Sequence, residues 1–168
     1  AAEKLASHEN WFFAGGQSLR LMLPEYRQHG DLDIGVLDIH LNNLLKLIQS
    51  LDLQVFYCLD QQLWPLPSPQ ALSELPAKVH NFWVADSTAF RFEVLAYGTR
   101  GDTVVFRRNP NISWPITDFV IESEGHRWLN PIVTYTFKIT NADFRYKDQQ
   151  DVDQLTHGLR VVLQDNAQ

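Results

Sequence analysis

Two aspartates at alternate positions are the residues whose types and spacing best suit chemistry. Asp31 and Asp33 open an apolar run, and a β-strand is predicted over residues 31–37. Successive side chains of a strand point to opposite faces, so both carboxylates would lie on one face, about 6–7 Å apart at their Cα atoms. Leu32 and Ile34 would then enter the core. Two carboxylates on one face suit a hard divalent cation such as Mg²⁺.

A glycine pair precedes the acidic pair. Gly15 and Gly16 end an apolar run that begins at Trp11. Glycines let the backbone approach a phosphate chain closely. Each motif is weak alone, because Gly-Gly is usually a simple turn and Asp-x-Asp is common on exposed strands. In combination they predict a metal-dependent enzyme that acts on a nucleoside triphosphate.

A third acid, Glu93, lies in a strand predicted over residues 89–96. Phe92 and Val94 are its neighbours, so Glu93 would point to the opposite face from them. Burying a lone carboxylate without a partner is costly. Glu93 therefore either faces solvent or is retained for a chemical purpose.

Length and composition exclude several classes of protein. The 168 residues suffice for one domain with a real core, and a hydrophobic content of 45% excludes a disordered chain. The net charge of −6 argues against a nucleic-acid-binding surface, which usually carries a basic stripe. The single cysteine, Cys58, cannot form an internal disulfide. No apolar run is as long as a membrane span, and the N-terminus lacks a signal-peptide pattern, so we expect a cytoplasmic protein with no membrane partner.

The predicted elements follow a mixed α+β order. Residues 60–78 hold four prolines and are predicted as a long loop. We expect one domain over residues 1–168, with a core over 11–128 and a C-terminal helical segment over 129–168. The predicted strands cover residues 11–14, 31–37, 53–59, 79–85, 89–96 and 103–107, and the predicted helices cover residues 1–9, 18–23, 41–51 and 147–163.

Further motifs lie along almost the whole chain, from about residue 11 to residue 163. They are Arg27-x-His29-x-Asp31-x-Asp33, Val79-His80-Asn81-Phe82-Trp83, Val105-Phe106-Arg107-Arg108-Asn109-Pro110, Leu129-Asn130-Pro131, Tyr135-x-x-Lys138 and Arg145-x-Lys147-Asp148-x-x-Asp151. With the glycine pair and the third acid, these motifs resemble those of the nucleotidyltransferase superfamily. The similarity is greatest to the small aminoglycoside and lincosamide adenylyltransferase-like proteins.

The resemblance implies a fold and a reaction. The fold would be a nucleotidyltransferase-like mixed β-sheet with helices packed on it and a C-terminal helical segment. Residues 132–140 would form a helix of that segment despite their β-branched content. The reaction would transfer a nucleoside monophosphate, with AMP from ATP favoured, to a hydroxyl of a small molecule. Pyrophosphate would be displaced in line at two metal ions, Mg²⁺ or Mn²⁺.

The resemblance also implies roles for individual residues. Asp31, Asp33 and Glu93 would be the metal ligands and catalytic residues, with Glu93 also the candidate general base. The resemblance further implies a nucleotide site that consists of Gly15, Gly16, Gln17, Ser18, Arg27, His29, Lys138 and Lys147. For the loop and C-terminal residues of this predicted nucleotide site, a structural or solvated role is the alternative.

Departures from the family pattern keep other functions open. The family usually has Trp or Ser at the position of Gln17, and Asp at the position of Arg20. A catalytically degenerate nucleotide-binding or regulatory module is therefore one alternative. A toxin-like transferase acting on a protein or a tRNA is another, although the net charge disfavours RNA. A homodimer could complete the pocket. The motifs do not name the acceptor or the nucleotide base.

Overall fold

The computed structural model of the protein describes residues 10–21, 30–142 and 144–165, without the side chains of Leu21 and of residues 159–165. The helix predicted over residues 1–9 lies outside this part of the chain, as do Arg27 and His29.

Eleven strands are present in the described residues. Eight form a mixed sheet in the order β10-β11-β1-β2-β6-β5-β3-β4, and three form a small sheet in the order β7-β8-β9. The strands are β1 (Trp11–Phe13), β2 (Asp33–Leu37), β3 (Gln54–Leu59), β4 (Gln62–Pro65), β5 (Asn81–Ala85), β6 (Phe90–Tyr97), β7 (Thr99–Arg100), β8 (Thr103–Val105), β9 (Ser113–Pro115), β10 (Val120–Ser123) and β11 (His126–Leu129).

Helices pack on the larger sheet, so the predicted α+β class is confirmed. The α-helices are α1 (Asp38–Ser50), α2 (Ile116–Phe119), α3 (Pro131–Ile139) and α4 (Tyr146–Asp165), and two 3-10 helices cover Gly15–Leu21 and Pro69–Glu74. No helix of the described residues is both long enough and apolar enough to cross a membrane.

The helix α3 forms although it contains several β-branched residues, and its N-terminus explains why. Pro131 occupies the first turn, where its missing N–H costs nothing. The side-chain oxygen of Asn130 accepts a hydrogen bond from the Ile132 N–H at 2.9 Å, which caps the helix. The helix predicted over residues 132–140 is therefore observed.

Each face of the sheet carries a hydrophobic core. Ile34 and Val36 of β2 pack with helix α1 in one cluster. Leu37 belongs to the second cluster, which includes Phe12 and helix α3. A Cβ on Gly35 would lie 2.1 Å from the Phe12 ring, so only glycine leaves room for the Phe12 side chain at this position of β2. Because strand side chains alternate, Asp33 lies on the face of the second cluster.

The proline-rich segment was predicted as a long loop, and this prediction was wrong in part. Residues 62–65 form β4, an exposed edge strand that pairs antiparallel with β3. Asp60 and Gln61 adopt positive φ angles of 51° and 62° in the connecting turn. An edge strand tolerates Pro65 because one side of the strand needs no sheet hydrogen bonds.

Candidate active site

Two acids lie side by side on neighbouring parallel strands of the larger sheet. Asp33 of β2 and Glu93 of β6 are register partners, and the Glu93 N–H donates to the Leu32 carbonyl at 2.9 Å. Phe92 and Val94 pack in the core beside α1, so Glu93 points to the other face, as its alternation predicts. The two carboxylates thus reach the same cavity from residues that are distant in sequence.

The cavity has a volume of about 300 Å³. It lies where the glycine turn, strands β2, β5 and β6, and helices α3 and α4 meet. Its lining residues are Gly15, Gly16, Asp31, Asp33, Trp83, Glu93, Lys138, Arg145, Lys147 and Asp148.

The glycine turn lies directly against Asp33. The Ala14 N–H donates to the Asp33 carbonyl at 3.0 Å, and the Gly16 N–H bonds to the Asp33 carboxylate. Gly15 has a φ of +52°, and a Cβ there would lie 1.9 Å from Asp33 Oδ2. A side chain at position 15 would therefore displace the carboxylate. The turn holds Asp33 at the wall of the cavity.

Both strand acids hold their protons more tightly than usual. Burial and the charge of Asp31 raise the pKa of Asp33 to about 6. Burial and the charge of Asp33 raise the pKa of Glu93 to about 7, although a hydrogen bond from Asn81 opposes this shift. Two partly buried carboxylates thus repel one another across the cavity.

Asp31 lies in a bend before β2 and is exposed. The predicted strand over residues 31–37 therefore begins two residues later, at Asp33. Asp31 nevertheless lines the same cavity. Its backbone carbonyl accepts a hydrogen bond from Gln17 Nε2 at 3.1 Å, which ties the bend to the first 3-10 helix.

The chemistry of the three acids fits a divalent cation. Carboxylate oxygens are the ligands that Mg²⁺ prefers, and a cation would offset the repulsion that raises the pKa values of Asp33 and Glu93. Across residues 10–21, 30–142 and 144–165, however, no group of three or more His, Cys, Asp or Glu residues converges closely enough to hold a metal ion. The three acids line one cavity without forming a closed site.

Three cations line the C-terminal side of the cavity, and they differ in their partners. Lys138 Nζ pairs with Asp151 Oδ2 at 2.6 Å and with Asp148 Oδ1 at 3.3 Å. Arg145 Nε pairs with Asp148 Oδ2 at 3.0 Å. Lys147 is exposed and makes no hydrogen bond or ion pair with any residue that the structure describes. Of the three lining cations, Lys147 is thus the one that the described residues leave free to bind a ligand.

Two other residues of the predicted nucleotide site do not line the cavity. Ser18 is fully buried, its hydroxyl donates to the Gly15 carbonyl at 2.8 Å, and it lies 2.7 Å from Thr134 Oγ1. The structure thus places Ser18 between the glycine turn and α3. Gln17 contacts the bend at Asp31, as described above. Arg27 and His29 are among the residues that the structure does not describe.

Sequence reasoning gave no site role to two residues of β5. Asn81 Nδ2 donates to Glu93 Oε1 at 2.7 Å, and Trp83 is the register partner of Glu93 and lines the cavity. Phe82 and Val84 belong to the core beside α1. The alternation of apolar and other residues along β5 was the available signal, because it places Asn81 and Trp83 on the face of Glu93.

The architecture is that of a nucleotidyltransferase fold. Two solved structures of ANT(2'')-Ia share it, one of them a crystal structure in complex with adenylyl-2''-tobramycin. That crystal structure matches with a TM-score of 0.57 and 13% identity, over 94% of this chain and 87% of the other. The second is a solution structure of the same antibiotic-resistance factor, with a TM-score of 0.58 and 12% identity, over 94% and 82%.

The sequence comparisons add no closer relation, since no protein-family model and no curated protein sequence matches this chain. The resemblance to aminoglycoside adenylyltransferase-like proteins that the motifs indicated is confirmed by the structural likeness at the level of the fold.

Proposed function

We propose that the protein is a nucleotidyltransferase that moves a nucleoside monophosphate, with ATP the favoured donor, to a hydroxyl of a small molecule. One observation carries this proposal. Asp33 and Glu93 pair across parallel strands beside the Gly15–Gly16 turn, in a cavity that also contains the free cation Lys147. Acids on one side and a cation on the other suit a metal-bound triphosphate.

In this proposal Lys147 binds the triphosphate, because it is the lining cation without a partner in the described chain. Arg145, whose side chain is 60% exposed, can contribute a second positive charge. Lys138 holds α3 to α4 through its ion pairs. Ser18 is a positioning residue that ties the glycine turn to α3.

Asp31, Asp33 and Glu93 are the proposed ligands of Mg²⁺ or Mn²⁺. When bound, such an ion would stabilise the negative charge that develops on the transferred phosphate and on the leaving pyrophosphate. The raised pKa values of Asp33 and Glu93 support this assignment, since the cations near these two acids do not offset the effects of burial and of neighbouring carboxylates.

Glu93 is the proposed general base. Asn81 occupies its Oε1 atom, so the other carboxylate oxygen is left to accept the proton of the acceptor hydroxyl. The hydroxyl oxygen then bonds to the α-phosphorus, and the bond between that phosphorus and pyrophosphate breaks.

A nucleotide-binding or regulatory module without catalysis is the second candidate. The observation that favours it is the lack of a converged metal-binding group within the described residues. A toxin-like transferase acting on a protein or a tRNA has less support, because the net charge is −6 and an RNA surface needs positive potential.

Three further expectations stay proposals: a single domain over residues 1–168, a homodimer and a cytoplasmic location. The free thiol of Cys58 suits a reducing compartment.

Nucleotide binding tests the donor half of the proposal. We expect one of ATP, GTP, CTP and UTP to raise the melting temperature with Mg²⁺ but not with chelator, because a ligand of the native state stabilises it by mass action. Asp33→Asn should lose this shift. Asp52→Asn is the matched control, because Asp52 is exposed at the end of α1 and its φ of 59° suits asparagine. No shift with any nucleotide would contradict the proposal.

A further inference from the structure

Two further cations, Arg107 and Arg108, lie in the segment that follows β8. Phe106 is buried and its ring lies 4.8 Å from that of Phe137. The guanidinium carbons of Arg107 and Arg108 lie 5.0 Å and 5.6 Å from the centre of the same Phe137 ring. The two arginines therefore share one aromatic contact, and each gains a modest cation–π stabilisation from it.

Hydrogen bonding distinguishes the two arginines. Arg108 Nη1 donates to Thr140 Oγ1 at 2.8 Å and to the Phe137 carbonyl, so Arg108 fixes the end of α3. Arg107 is exposed and makes no hydrogen bond or ion pair within the described part of the chain. Its five N–H donors, arranged in a planar fork, are thus available to a ligand.

Arg107 is connected through Phe137 to strand β6, which carries Glu93. The Phe137 ring that Arg107 covers also contacts Tyr97, at 5.7 Å, and Tyr97 is on β6 with Glu93. Burial and then the positive charge of Arg107 lower the pKa of His80, and the same charge opposes the raised pKa of Glu93. The charges of Lys138 and Lys147, by contrast, act on Asp33.

Two features of the residues beside Glu93 point to a bound molecule. Asn81 Oδ1 is buried and has no hydrogen-bond partner in the described residues, although Asn81 Nδ2 holds Glu93. An orphaned buried acceptor requires a donor such as a hydroxyl. Next to it, Trp83 packs against Phe90, which is 51% exposed. An apolar wall thus continues outward from Glu93.

We propose that Arg107 binds an anionic group of the acceptor, a phosphate or a carboxylate, so that the acceptor is a negatively charged hydroxyl compound and not a polyamine sugar. This inference rests on the proposed transferase function. An amino sugar would place its ammonium groups beside Arg107, where like charges repel. An anion would form a fork-shaped, charge-assisted contact with the guanidinium.

A matched series of sugars tests the proposal. Glucose 6-phosphate, glucuronate, glucose and glucosamine share a pyranose ring and differ in charge. Their binding is measured by calorimetry with Mg²⁺ and a non-reactive ATP analogue, which keeps the triphosphate side occupied. We expect the wild type to bind at least one anionic sugar about tenfold more tightly than glucose, and glucosamine no better than glucose. The two anionic sugars separate phosphate from carboxylate recognition.

The two arginines supply the matched variants. Arg107→Gln should lose the tenfold preference, Arg107→Lys should retain part of it, and Arg108→Gln should keep it because Arg108 already has partners. Tighter binding of glucosamine, no binding of either anion by the wild type, or an unchanged preference in Arg107→Gln would each overturn the inference.

Failure of the proposed function has a separate signature. If the proposed function is wrong, the ATP analogue shows no Mg²⁺-dependent binding. The sugar titrations are then repeated without nucleotide. In that case Arg107→Gln and Lys147→Gln are compared, because the charge of Arg107 acts on Glu93 and that of Lys147 acts on Asp33.

Discussion

Asp33 and Glu93 make the cavity sensitive to pH. Their pKa values of about 6 and about 7 lie above the ordinary values of 3.8 and 4.5. Between the ordinary and the raised values the folded protein binds more protons than the unfolded chain does. Stability from these two groups therefore decreases as pH rises through this window.

The first prediction follows from this linkage. In chelator, the contribution of Asp33 and Glu93 to the free energy of unfolding should fall between about pH 4 and pH 7 and level off above. Denaturant titrations across this range measure it. Asp33→Asn combined with Glu93→Gln should flatten that decrease, while Asp52→Asn should not. The apparent affinity for Mg²⁺ should rise over the same range, because protons compete for the same oxygens. A wild-type profile identical to that of the double variant would contradict this account of the cavity.

Gly15 provides a second residue-level prediction. Gly15→Ala should reduce Mg²⁺-dependent nucleotide binding at least tenfold, because the new Cβ would displace the Asp33 carboxylate. Gly101→Ala is the matched control: Gly101 also has a positive φ, of 57°, but a Cβ there meets nothing within 4 Å. Both variants should lose about 1 kcal/mol from backbone strain. Equal nucleotide binding by the two variants, measured by calorimetry, would show that the glycine turn does not position Asp33.

Individual residues were predicted where alternation along one strand was sufficient evidence. Glu93 points away from Phe92 and Val94, as its sequence position indicates. The buried position of Ser18 was not predictable, because its partner Thr134 is distant in sequence. Alternation also failed at Asp31, which lies in a bend and not in the strand. The roles assigned to these residues in nucleotide and metal binding stay predictions.

At the scale of elements, the two C-terminal helices are joined by buried ion pairs. Lys138 of α3 is 15% exposed and contacts Asp148 and Asp151 of α4, which are almost fully buried. Asp148 also accepts from the Arg145 N–H at 3.1 Å, in the manner of a capping residue. Although burial raises the pKa of Asp148, its hydrogen bonds with Arg145 lower it below the ordinary value.

The prediction at this scale concerns Lys138. Lys138→Met should destabilise the protein by about 3 kcal/mol, because it removes the ion pairs of Lys138 with two buried carboxylates. Lys46→Met is the control: Lys46 is exposed on α1, and its replacement should change stability by less than about 0.5 kcal/mol. Urea denaturation measures both values. A loss below 1 kcal/mol in Lys138→Met, with nucleotide affinity strongly reduced, would instead mark Lys138 as a triphosphate ligand.

Elements with a clear local signal were predictable, and those that depend on distant pairing were not. Helix α1 has apolar residues at helical spacing. Helix α3 was predicted from the motif resemblance, since its β-branched residues disfavour a helix, and its Asn130 cap was not predicted. Strand β4 was missed because it is short, exposed and proline-containing. Its structure depends on pairing with β3, which the local sequence does not reveal.

At the scale of the molecule, the site depends on strand order. The mixed sheet places β2 beside β6 and β6 beside β5, which brings Asp33, Glu93 and Asn81 together. Local patterns cannot establish such an order, because it is set by packing across the whole sheet. The motif resemblance indicated the nucleotidyltransferase fold without giving the strand order, and the likeness to ANT(2'')-Ia over 94% of the chain confirms that fold.

The central claim is nucleotidyl transfer at Asp33 and Glu93, and product formation tests it most directly. The protein is incubated with ATP, Mg²⁺ and a mixture of neutral, anionic and cationic hydroxyl compounds, and mass spectrometry detects acceptors that have gained one nucleoside monophosphate. We predict such a product with the wild type and with Asp52→Asn, and none with Glu93→Gln or in chelator. A product that persists in Glu93→Gln, or nucleotide binding without any transfer product, would contradict the claim.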